Sequence, residues 1–389
     1  MTLIDTGILD LNLYENGFKE LPLMQRLDLL IATCKMEPEH FEKLEEEIDL
    51  PNELYKMVEE LEKNSLSKEI EDLITALRTQ VSLYDELKKY FFQTVLFLHL
   101  AESEKNEVNE EQRKRTEYYL EASYDDPVQH SPIFFDILDK LIYDNKSSYA
   151  VDLCKKSYIQ IATSDDFLQN PKNELAYIIL EDEFQNAYIR LKNKMTVDWI
   201  SFKERIKSFD LDFSLDELKR FEKIMLGQVD HDQMAKTFKN ETLFVLMEIK
   251  LAYCCHMYDL DGTSFVTSWK IASLTIEYLF WIPGREKCPL HTFFKIKEDH
   301  LFAYTGALEK EWGWFSQLPK LFAFLGGLPL FYLGLVRLGI LEMKTVEEAL
   351  PFFMVLKTEF KKIHSGKALE YNFIKKLEAQ ANLLASPNS

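Results

Sequence analysis

The sequence predicts an all-α protein of antiparallel helical hairpins, and three observations carry that expectation. No glycine occurs between Gly17 and Gly227, whereas globular chains average about 7 % glycine and αβ folds spend it on turns. The prolines fall at helix starts, as in Ser131-Pro132 and Asn170-Pro171, where a missing N–H costs nothing. Apolar residues recur at helical spacing: Ile70, Leu73, Ile74, Leu77, Val81, Tyr84 and Leu87 form one stripe, and Leu175, Ile178, Ile179, Phe184, Ala187 and Leu191 a second.

Taken in order, the pattern predicts helices near 22–35, 38–48, 51–63, a long one from 66 to about 100, then 132–143, 147–163, 171–193, 197–208, 215–227, 240–258 and 264–281. Ser201-x-x-Glu204, Ser214-x-x-Glu217 and Thr345-x-x-Glu348 have capping-box spacing, in which each side chain satisfies the other's backbone donor. Asn240 is the expected cap of helix 240–258. Short connections imply hairpins. Segment 132–163 has the helix-turn-helix layout of a tetratricopeptide unit, but no neighbour repeats it at 34 residues, so an αα-hairpin in an irregular helical domain is the expectation and an irregular α-solenoid, tetratricopeptide-like or HEAT-like, the alternative.

Three regions are expected: an acidic helical region 1–125, ending in the polar stretch 101–127; a hairpin region 126–282; and a glycine- and proline-containing apolar region 283–389. The last holds eight of the twelve glycines. Its run Leu321–Val336 is uncharged but sixteen residues long, short of the roughly twenty a spanning helix needs. Two buried helices broken at Gly326-Gly327 are expected there, with no stable membrane insertion. Trp312, Trp314 and Phe315 are expected in the core.

Formal net charge is −19. Repulsion from phosphate excludes nucleic acid as the main partner and leaves room for a basic protein. Five scattered cysteines in apolar segments suit a reducing compartment. With no recognisable secretory or transit signal in the first residues, a cytoplasmic location is the expectation.

One stretch spells chemistry. Asp259-Leu260-Asp261-Gly262-Thr263 resembles the D-x-D-G-T motif of the haloacid-dehalogenase-like phosphatases. The resemblance implies Asp259 as nucleophile, Asp261 as general acid/base and Mg²⁺ between carboxylate and phosphate. Such a nucleophile must end a buried parallel strand, yet the preceding ETLFVLMEIKLAYCCHMY has helical period and no β-branched residue in its last seven positions. The expectation is therefore a helix stop: Gly262 as left-handed cap and Thr263 or Ser264 capping the next helix.

Cys254-Cys255-His256, Cys288-x-x-His291 and Glu37-x-x-His40 contain metal-ligand residue types. Consecutive helical residues point about 100° apart, and the last lacks the second pair that a di-iron bundle requires. No metal or cofactor is expected, and His231 between two aspartates is expected in a solvated turn. The leading function is a non-enzymatic protein-binding module or adaptor of the helical-repeat type. The alternative is an all-α enzyme with a polar site at Cys288, His291, Glu298, Asp299 and His300. A third is a regulatory or neutralising partner of a basic protein.

Overall fold

The computed structural model describes residues 8–64, 66–87, 114, 118, 134–135, 138–139, 141–143, 145–162, 171–310 and 318–363. Every regular element among them is a helix. The chain forms two compact units, Met1–Ile137 and Leu138–Ser389. The polar stretch 101–127 largely, and Trp312, Trp314 and Phe315 wholly, lie outside the described residues.

The N-terminal unit contains α1 (Leu11–Asn16), α2 (Leu23–Cys34), α3 (Pro38–Glu47), α4 (Leu50–Lys63) and α5 (Ser67–Leu77). The apolar stripes of α2, α4 and α5 meet in a core that includes Leu30, Leu54, Leu61, Ile70 and Leu77. Arg26 of α2 forks onto both oxygens of Glu60 of α4 at 2.7 and 2.8 Å.

The single long helix expected from residue 66 is instead interrupted at residues 78–80 and resumes at 81–87. The cause is tertiary. Gln80 turns inward and its Nε2 donates to the carbonyls of Cys34 and Met36, at 2.9 and 2.8 Å, satisfying acceptors left over at the end of α2. The break rotates Val81 out of the stripe, leaving it 67 % exposed, while Leu83 and Leu87 are buried. The expected continuation beyond residue 87 is outside the described residues.

The C-terminal unit contains α6 (Ser147–Ala162), α7 (Pro171–Lys192), α8 (Trp199–Lys207), α9 (Leu215–Met225), α10 (His231–Thr237), α11 (Thr242–Asp261), α12 (Phe265–Trp281), α13 (Leu290–Phe293), α14 (Glu298–Lys310), α15 (Leu318–Arg337) and α16 (Met343–Ile363). Helices α11, α12 and α15 pack on one another at its centre. The start of α9 is the expected capping box: Glu217 N donates to Ser214 Oγ and Ser214 N to Glu217 Oε2.

Three other expected starts are displaced. Asp198 caps α8, its Oδ1 accepting from Ile200 N and Ser201 N at 3.1 Å each, because an ionised carboxylate is a stronger acceptor than the Ser201 hydroxyl. Thr345 N donates to Glu342 O at 3.0 Å, so Thr345 lies inside the first turn of α16. Asn240 is drawn back toward α10, donating from its N to Thr237 O at 2.9 Å, and Glu241 becomes the cap residue of α11. His231, expected in a turn, opens α10.

The expected break at Gly326-Gly327 does not occur: α15 is continuous from Leu318 to Arg337, with Pro329 inside it. Gly327 and Gly334 serve close approach instead. A Cβ on Gly327 would stand 2.7 Å from Ile271 Cγ2 of α12, and one on Gly334 would stand 2.7 Å from the Tyr253 ring of α11. Burial of Leu321, Phe324, Leu328, Phe331 and Leu335 on α15 outweighs the propensity cost of about 1 kcal/mol per glycine and about 3 for proline. Among the described residues no helix is long and apolar enough to cross a membrane.

One buried carboxylate fixes α11 to α9. Arg220 donates through Nε and Nη2 to the two oxygens of Glu248, at 3.0 and 3.2 Å, and its guanidinium lies 4.4 Å from the Phe244 ring centroid. Burial raises the Glu248 carboxyl above its ordinary range, and Arg220 opposes the shift.

Candidate functional site

Residues 252–258, the segment that a phosphatase would need as a strand, are helical, and α11 runs on through Asp259 to Asp261. Gly262 takes φ 75°, ψ 14°, the left-handed conformation that L side chains enter at a cost. Asp259 accepts from the Tyr188 hydroxyl at 2.7 Å and is ion-paired with Lys192, both on α7. Asp261 Oδ1 accepts from Thr263 N at 3.0 Å and Thr263 Oγ1 at 2.6 Å. Ser264 Oγ caps α12 at Thr267 N, while Asn145 and Gln185 accept from the backbone N–H of Ser264 and Phe265. The two aspartates therefore take up separate duties, one tying α11 to α7 and the other closing the turn.

The polar residues of the last third are dispersed. Cys288 is half-buried with Sγ 3.6 Å from Gly284 O; His291, Glu298 and Asp299 are exposed. Glu298 and Asp299 fall in the first turn of α14, where the helix dipole favours negative charge. His300 Nδ1 is buried and has no hydrogen-bond partner among the described residues. Cys254 and Cys255 are buried free thiols, and His40 is exposed. Among the described residues no three His, Cys, Asp or Glu side chains come together as a metal site.

What the fold does bring together is a set of charges inside the C-terminal unit, contributed by α7, α11 and α12. Glu181 of α7 is 5 % exposed and makes no hydrogen bond or ion pair among the described residues. Two lysines act on it electrostatically, Lys250 of α11 and Lys270 of α12. Lys270 Nζ pairs with Asp139 at 2.9 Å. Lys250 Nζ donates to Ser273 Oγ at 3.0 Å and stands 5.2 Å from the Trp269 ring centroid. Buried thiols border the group, Cys154 of α6 and Cys254 of α11, each sensing Glu181.

Burial drives the titration of this group. It pushes the Glu181 carboxyl well above the ordinary carboxylate range, against the attraction of Lys250 and Lys270. It pushes the Lys250 ammonium down, against the attraction of Glu181. For Lys270 burial also works downward, but Asp139 and Glu174 outweigh it and hold the ammonium up. Burial thus favours the neutral form of both the Glu181 carboxyl and the Lys250 amine, while the Lys270 ammonium is held by Asp139.

Sequence reasoning passed over these residues, although each leaves a trace. Lys250 is the one cation in the helix Thr242–Asp261 and Lys270 the one cation in Phe265–Trp281. A cation on the buried side of a helix must find a partner or lose its charge. No protein-family model, no curated protein and no solved structure matches this chain.

Proposed function

We propose that the chain is a non-enzymatic protein-binding module whose N-terminal unit receives a basic protein or peptide. The partition of charge carries this reading. Residues 1–137 hold 31 acidic and 14 basic side chains, net −17, while residues 138–389 hold 34 and 32, net −2. A charge surplus of that size in one unit works against its own folding and is relieved by a cationic partner.

The strain of like charge is local as well as global. The Glu45 carboxyl of α3 is raised by partial burial and then by Glu86 and Glu42, and Glu86 also raises the Tyr55 hydroxyl beyond the effect of burial. A lysine or arginine docked there would reverse the sign of those interactions. Helical hairpins in the manner of an irregular solenoid would offer such a partner a groove, and the free thiols fit a reducing, cytoplasmic setting.

The test is fluorescence anisotropy with a lysine-rich helical peptide and the same peptide carrying glutamate in place of lysine. The account expects binding of the first only, weakening as salt rises. Glu42→Gln, Glu45→Gln and Glu86→Gln combined should weaken it about 5- to 10-fold. Equal binding of the two peptides, or indifference to the triple substitution, would refute the reading.

A further inference from the structure

We propose that the face built from residues 236–239 and 285–297 of the C-terminal unit is a docking surface for a peptide segment rich in aspartate and glutamate. Two stretches distant in sequence form it. The buried ring of Phe238, just past the end of α10, meets the buried ring of Phe293, the last residue of α13, edge to face with centroids 5.2 Å apart. Lys236 and Lys239 flank the first ring in sequence, and Lys295 follows the second. The Arg285 guanidinium donates to the carbonyls of Thr292, Phe293 and Lys295, which folds the chain around Lys287 back onto the stretch that carries Lys295 and Lys297.

The two stretches carry six basic side chains against one acidic, Glu286. All five lysines are exposed and none has a carboxylate within ion-pair distance among the described residues, whereas Lys172, Lys192 and Lys203 of the same unit pair with Asp210, Asp259 and Asp212. The carboxylates that border the stretches have other uses. Glu241 pairs with Arg220 at 3.0 Å, and Asp232 and Glu298 lie in the first turns of α10 and α14, where the helix dipole favours negative charge. Charge complementarity selects an anionic partner, and the side-chain chemistry selects its kind. Arg285, the one arginine of the face, is buried and spent on carbonyls, so no guanidinium fork is left for phosphate. The rings of Phe238, Phe293 and Phe294 are buried, so no platform is left for stacking bases. Carboxylates spaced along a peptide match the remaining ammonium point charges. At physiological salt a charge acts over about 8 Å, so the local lysines rather than the net −19 of the chain set the sign of this face.

The experiment is fluorescence anisotropy of the full chain at physiological salt, with a labelled Glu-Ser repeat peptide and its Gln-Ser counterpart. The glutamate peptide should bind and the glutamine peptide should not. Lys239→Glu combined with Lys295→Glu should weaken binding about 5- to 10-fold. Lys207→Glu combined with Lys223→Glu, exposed lysines of α8 and α9, changes the net charge equally and should leave binding within about twofold. Glu42→Gln, Glu45→Gln and Glu86→Gln combined should not weaken it, so this surface and the acidic one of the N-terminal unit stand or fall separately. Equal weakening by the two lysine pairs, equal binding of the two peptides, or binding of neither would overturn the proposal. Tighter binding of a single-stranded oligonucleotide through Lys239 and Lys295 would overturn it in favour of nucleic acid. A salt-sensitive two-chain mass in sedimentation, lost with the same pair of substitutions, would overturn it in favour of a second copy.

Discussion

Each unit contains an arginine forked onto a glutamate of another helix, and the two forks differ in one respect that matters. Arg26 in the N-terminal unit reaches both oxygens of Glu60 through Nη2 alone, at 2.7 and 2.8 Å, and Arg220 in the C-terminal unit gives Nε and Nη2 to one oxygen each of Glu248, at 3.0 and 3.2 Å. Glu60 is 40 % exposed at its side chain and Glu248 5 %. Water competes for the first pair and not for the buried oxygens of the second, so the tighter distances belong to the weaker bridge. The same contrast runs through the whole chain. The N-terminal unit carries a large net charge, whereas the C-terminal unit is near neutral and holds buried charges among its described residues.

Substitutions can break or sharpen this contrast. Arg220→Ala leaves Glu248 buried without its partner and should cost about 2–4 kcal/mol, read by urea denaturation. Gly334→Val puts a branched side chain against the Tyr253 ring and should cost about 2–3 kcal/mol; a neutral result would mean that α15 does not approach α11 closely.

Glu181→Gln has the opposite sign. Because the folded-state pKa of Glu181 is raised, its contribution to stability is fully present below the ordinary carboxylate pKa and is lost as pH rises toward the folded value. The amide has no such dependence. The variant should therefore be more stable than wild type at pH 8 by about 1–3 kcal/mol, with the gain disappearing toward pH 4. A loss of stability at pH 8 would show that the carboxylate is ionised and paired. Smallest is Arg26→Ala, about 0.5–1 kcal/mol and decreasing with added salt. A larger cost there than for Arg220→Ala would reverse the ranking by burial.

Much of this was legible in the sequence where the cause was local. The glycine gap, the proline positions and the apolar stripes give the all-α class, and Asp261-Gly262-Thr263-Ser264 gives the turn between α11 and α12 down to its left-handed glycine. What was not legible depended on a distant neighbour. Nothing near Gln80 says that its side chain is taken by the carbonyls of Cys34 and Met36, so the break in the long helix could not be read. Gly326-Gly327 reads as a breaker alone, and Gly327 becomes a point of close approach only when Ile271 is opposite. Residues 181, 250 and 270 lie on three different helices, and only packing turns the three charges into one group.

The central claim is that recognition of a basic partner belongs to the N-terminal unit and internal charge to the C-terminal one. Amide hydrogen exchange of the full chain, with and without the lysine-rich peptide, tests it most directly. The account predicts slowed exchange in residues 38–47 and 81–87, with residues 242–281 unchanged. Slowed exchange in 242–281 with none in 38–47 or 81–87 would contradict it.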